Sequence, residues 1–164
     1  MFDHDPAADT GIVCFITVAG LLNGPGFQKM RDYLRRRANE VWVIDCSPDG
    51  HQPDVPTRIF QGVQQPVCIV MASRVKPDDD TPAVVRFRAL PVGKREGKFA
   101  ALGGIALGDA GWVECPADWR AAFLPASSGA WATFPALDDL FVYNGSGVMP
   151  GRTWVNRPRR RLAP

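Results

Sequence analysis

Histidine is nearly absent from the 164 residues, cysteine is sparse and scattered, and no long apolar run exists. The two histidines are His4, near the chain start, and His51, in a Pro/Gly-rich stretch, and neither is well placed as the base of a Ser-His-Asp or Cys-His site. Cys14, Cys46, Cys68 and Cys115 form no C-x-x-C pair, whereas a zinc site needs closer ligand pairs. Cys14 and Cys68 lie inside apolar runs, where cysteine ordinarily acts as a small buried hydrophobe. The longest nearly apolar stretch, Ile12 to Leu22, has 11 residues, about half of a bilayer span, so no membrane helix is expected. The opening Met1-Phe2-Asp3-His4-Asp5-Pro6 is acidic where a secretory signal is basic, which points away from export and toward the cytoplasm. With 19 Lys and Arg against 17 Asp and Glu, the net charge of +2 does not by itself mark a nucleic-acid binder.

What is present suffices for one domain with a core: 46% of the residues are hydrophobic, among them five tryptophans and nine phenylalanines. Gly11 to Ala19 is a near-continuous β-branched and aromatic run, which predicts an interior strand covered on both faces of a parallel sheet. Asn23-Gly24-Pro25-Gly26 then opens a helix, with Phe27, Met30, Leu34 and Ala38 as its apolar seam and Lys29, Arg31, Arg35, Arg36 and Arg37 on its exterior. Glu40 to Cys46 is a second strand, and strand, helix, strand implies a right-handed parallel crossover. Ser47 to Thr57 reads as a loop, Pro66 to Ser73 as a third strand, and Val75 to Pro82 as a solvated linker. Beyond it, Val84 to Leu90 and Gly111 to Cys115 fit strands and Lys94 to Leu102 a short helix.

Candidate chemistry is thin. Gly24-Pro25-Gly26 and Gly103-Gly104 lack the spacing that aims backbone N–H groups at a phosphate and read as turns. Asp78, Asp79 and Asp80 read as a solvated charge run rather than a cation site, and Asp138-Asp139 as a helix N-terminal turn. No catalytic, cofactor-binding or metal-ligating residue is assigned. The helix arginines have two readings, a solvated face or phosphate contacts. The tail is more pointed: Arg152, Arg157, Arg159, Arg160 and Arg161 cluster around Trp154, and no acidic residue occurs from Ser146 onward. Such an arm suits a phosphate backbone, with an ordinary charged terminus as the alternative.

Gly11 to Cys46, followed by IFQGVQQPVCIVMASR (Ile59 to Arg74), resembles the part of amino-group DNA methyltransferases that follows their catalytic motif. The likeness rests on Phe15-Ile16-Thr17 ending a strand, Met30-Arg31-Asp32-Tyr33-Leu34 on the next helix, and a Val-x-x-Ile-Asp strand from Val41 to Asp45. It is greatest to the type ISP restriction-modification polypeptides, which join nuclease, translocase, N6-adenine methyltransferase and specificity regions. Leu137 to Val155 is similar to the family's junction into its target-recognition region, so the resemblance runs from Gly11 to about Val155.

The resemblance implies an α/β fold: a partial class I (Rossmann-like) methyltransferase sheet over residues 1–74, a linker at 75–82, and a small irregular α+β extension over 83–164 that opens the specificity region with a basic tail. It implies double-stranded DNA as partner and S-adenosylmethionine as cofactor of the complete enzyme. It also places Phe60 and Gln61 in a loop near a flipped base, Phe60 stacking and Gln61 pairing with an edge; a Phe packed under a loop beside a surface Gln is the alternative. The family's Asn-Pro-Pro-Tyr type motif, whose Asn and backbone carbonyl accept bonds from the adenine amine, has no counterpart, because the sequence holds no Pro-Pro dipeptide. The chain therefore reads as the C-terminal half of a catalytic domain, inactive alone and binding no cofactor: a gene remnant, the product of a mis-called start, or one piece of a split enzyme whose other half is encoded upstream. A non-catalytic DNA-binding module acting through the basic helix and Arg cluster is the rival reading.

Overall fold

The structure, a computed structural model, describes residues 10–50, 57–75, 81–126 and 134–135. The chain divides into two units, Met1–Ala126 and Ser127–Pro164, and almost all described residues belong to the first.

Five strands form one mixed sheet: β1 (Gly11–Val18), β2 (Glu40–Asp45), β3 (Val67–Arg74), β4 (Val84–Ala89) and β5 (Val113–Glu114), in the order β1-β3-β2-β4-β5. β3 runs antiparallel to both β1 and β2, so those two are parallel to each other as expected, but separated by β3. β4 pairs in parallel with β2, carrying the sheet past the 75–82 segment. The fold is mixed α/β. The expectation of an interior β1 fails: among the described residues it is an edge strand. Its side chains alternate half-buried and exposed, with Ile12 75% and Ile16 51% exposed, and Cys14 is exposed rather than a buried hydrophobe. A run apolar on both faces carries no signal of which neighbours are present, and here the described chain supplies only one.

The period-two alternation sorts the other residues. On one face the register aligns Phe15, Val70, Val43 and Phe87, and next to them Val13, Ala72, Val41 and Val85. Over this face lie α1 (Gly20–Asn23), a 3-10 turn at Pro25–Phe27, and α2 (Gln28–Arg37), with Leu21, Leu22, Leu34 and Ala38 buried against the strands. Pro25 starts the 3-10 turn because its missing N–H and fixed φ cost nothing there. Phe123, fully buried, closes the layer by donating its N–H to Leu22 O at 2.7 Å. On the other face α3 (Arg95–Gly103) covers the carboxyl end of β2, where Cys46, Ile59, Val67 and Leu90 gather with Ile44, Ile69, Leu102 and Ile105.

Candidate nucleic-acid interface

β1, β2 and β4 share a direction, so the segments following them meet at one end of the sheet, the position where open α/β sheets ordinarily bind ligands. The loop between β2 and β3 is rooted there. Val67 N–H donates to Ser47 Oγ at 3.1 Å, Cys46 N–H to Val67 O at 3.1 Å, and Ala19 N–H to Pro66 O at 2.8 Å. Ile59 is buried in the small core beneath, and Gly62, at φ 74°, makes the turn that a side chain would strain. Phe60 is 40% exposed and Gln61 is exposed, which places both at the surface. An exposed aromatic ring at this end of the sheet is sterically able to stack on a base.

The same end holds a polar cluster that sequence reading did not find. Lys98 of α3 is buried, donating to Cys46 O at 3.1 Å and pairing with Asp49, which also accepts the Gly93 N–H at 3.0 Å. Burial pushes the Asp49 carboxyl up, but the bonds from Lys98 and Gly93 outweigh it and hold the group below its ordinary range. Asp45, at the end of the Val-x-x-Ile-Asp strand, goes the other way: burial raises its pKa against the opposing Ser47 N–H and the Lys98 charge. Lys98 and Asp49 lie 49 positions apart, and nothing local in either segment announces the pairing.

The basic helix divides. Arg31 is 4% exposed and donates to Leu21 O (3.0 Å) and Gly24 O (2.9 Å), satisfying carbonyls at the end of α1. Arg35 is fully buried, donates to Ala83 O (3.3 Å) and Pro116 O (2.8 Å), and lies 5.2 Å from the Phe123 ring centroid. Both were expected on the exterior; they instead pin the returning chain onto the helix layer. Arg36 remains outward, paired with Asp32 and stacked 4.5 Å from the Trp119 ring, alongside Lys29.

Arg152, Arg157, Arg159, Arg160 and Arg161 lie outside the described residues, as do His4, His51, Asp78 to Asp80, Asp138, Asp139 and the Leu137 to Val155 junction. Among the described residues no group of three His, Cys, Asp or Glu is placed to hold a metal ion, and no helix is long and apolar enough to cross a membrane.

No protein-family model matches the chain, and neither does any curated protein. Solved structures do. The fold is similar to part of the DrdV–DNA complex (TM-score 0.57, 14% identity, 71% of this chain and 12% of that one). It is similar to a nuclease-deletion mutant of the type ISP restriction-modification enzyme LlaGI in complex with a DNA substrate mimic (0.53, 16%, 70% and 12%). It is similar also to the ATP-dependent type ISP restriction-modification enzyme LlaBIII bound to DNA (0.54, 17%, 70% and 8%). The chain thus spans 8 to 12% of the length of these proteins, and it shares with that portion of each its mixed α/β fold.

Proposed function

We propose that this chain is the C-terminal part of an N6-adenine DNA methyltransferase region of type ISP, joined to the start of a specificity region, and that it contacts DNA without itself transferring methyl. The observation that carries the reading is agreement between two independent comparisons: the motif order from Phe15 to Arg74 resembles the family, and the fold is similar to DNA-bound structures, two of them type ISP enzymes. In this reading residues 1–74 belong to a class I (Rossmann-like) methyltransferase sheet, 75–82 link, and 83–164 lead into target recognition, although the sheet itself continues through β4 and β5.

S-adenosylmethionine and the amine-positioning motif belong to an upstream half, and double-stranded DNA is the shared partner, met in the cytoplasm. Phe60 and Gln61 face the target base, and Arg152, Arg157, Arg159, Arg160 and Arg161 take phosphates. The rival, a freestanding DNA-binding module, loses part of its basis because Arg31 and Arg35 are committed to main-chain carbonyls.

The test pairs two variants on a duplex carrying an unpaired adenine. Phe60→Ala is expected to weaken binding by about 1–3 kcal/mol, the worth of one stacked base, while leaving the melting temperature unchanged. Ile59→Ala is expected to lower the melting temperature, since it empties buried volume. Equal affinity for Phe60→Ala and the parent chain would remove the loop from the interface. With radiolabelled S-adenosylmethionine the chain alone is expected to leave DNA unlabelled; incorporation above a boiled control would contradict the non-catalytic reading.

A further inference from the structure

A lysine stands out in the small core at the carboxyl end of β2. The buried residues gathered there, Cys46, Ile59, Val67 and Leu90, are apolar, and a Met or Leu on α3 would fill the place of Lys98 without taking a charge out of water. Lys98 is 1% exposed and directs its ammonium at the start of one loop: Cys46 O accepts at 3.1 Å, and the Asp49 carboxylate pairs with it.

The contacts of α3 reach both limbs of that loop. Lys98, Ala101 and Leu102 are three and four positions apart and so share one helix face. Lys98 holds the outgoing limb, residues 47–50, at Asp49, whose other oxygen accepts the Gly93 N–H at 3.0 Å. Ala101 and Leu102 pack against the cluster that contains Ile59, the residue before Phe60 on the returning limb. Arg58 joins the two limbs by donating to Gly50 O at 2.6 Å. The helix belongs to the part of the chain after residue 82, which is tied to the end of β2 also by the Leu90 N–H on Asp45 O at 2.9 Å.

We infer that Lys98 is a positioning residue for the loop that carries Phe60 and Gln61: through Asp49 and Cys46 O it sets the limbs in the arrangement that presents both side chains to an unpaired adenine. The inference rests on the proposed role of that loop. An apolar contact is non-directional and tolerates sliding, whereas an ammonium bonded to two defined acceptors admits one position. Stability alone would be served as well by an apolar pair, so what the ion pair contributes is geometry. The segment that leads into target recognition thereby braces the residues that meet the base.

The experiment compares the parent chain, Phe60→Ala, the double variant Lys98→Met with Asp49→Leu, and Arg35→Ala as a control destabilised away from the loop. Each is titrated with a duplex carrying an unpaired adenine and with its fully paired counterpart. The emission of 2-aminopurine in place of the unpaired adenine is read at saturation. The double variant is expected to melt near the parent, yet to lose preference for the unpaired site by roughly fivefold or more, the lower end of what one stacked base is worth. Its emission should match that of Phe60→Ala, whereas Arg35→Ala should keep the parent's preference and emission. Asp49→Asn, which keeps the shape and removes the charge, is read in the same way should the double variant misfold, and an unchanged preference there would overturn the inference. A double variant with the parent's preference and emission, beside a Phe60→Ala that has lost them, would overturn the inference and leave the proposed function standing. An equal loss in Arg35→Ala would overturn it too, by tying the effect to stability. A Phe60→Ala that keeps the parent's preference would overturn the proposed role of the loop, and this inference with it.

Discussion

Lys98 and Asp49 hold α3 to the end of β2 as a buried ion pair, and removing one partner leaves the other charged in a site with little water. Lys98→Met is expected to destabilise by about 3–5 kcal/mol in chemical denaturation, and Lys98→Met with Asp49→Leu to recover most of it. Because the folded state holds the Asp49 pKa below its unfolded value, its contribution is present above about pH 4 and lost as pH falls through the folded pKa. The parent chain should thus lose stability in acid more steeply than the double variant. Cysteine gives the opposite sign. Burial pushes the thiols of Cys46 and Cys115 up to about 11 and that of Cys68 to about 12. Unfolded thiols ionise first, so stability should fall from about pH 9 upward through those values. At pH 8 a thiol reagent should label Cys14 quickly and the other three only on unfolding; rapid labelling of Cys68 would show the sheet core to be open.

At the scale of elements, Arg35 links α2 to the start of β4 and to the 116–123 segment, so Arg35→Ala should cost on the order of 3 kcal/mol by stranding two carbonyls and emptying the space over Phe123. Strand and helix positions were legible because they are short-range: the alternation in Val41 and Val43 and the Phe27, Met30, Leu34, Ala38 spacing are written in neighbouring residues. Sheet order was not. That β3 enters between β1 and β2 depends on contacts between Thr17 and Cys68 or Asp45 and Cys68, which no window of sequence contains. The same limit hid the fate of Arg31 and Arg35, which share a helix surface pattern with Arg36 yet face carbonyls supplied by other segments. Of the candidate site, Phe60 and Gln61 could be singled out through the resemblance; their anchoring by Ile59 and Ser47 became visible only in the fold.

At the scale of the whole molecule, the proposed function assigns DNA to two features, the loop rooted at the carboxyl end of the sheet and the arginine-rich C-terminal sequence. The most direct measurement is the affinity of the full chain for duplex DNA at a series of salt concentrations, repeated after deletion beyond Val155. Each phosphate contact contributes about −0.9 to the slope of log K against log salt. Deleting Arg157, Arg159, Arg160 and Arg161 should therefore flatten the slope by up to about 3–4 units and weaken all sequences alike, because phosphates carry no base information. Unchanged slope and affinity after the deletion, or no measurable binding by the full chain at low salt, would contradict the account.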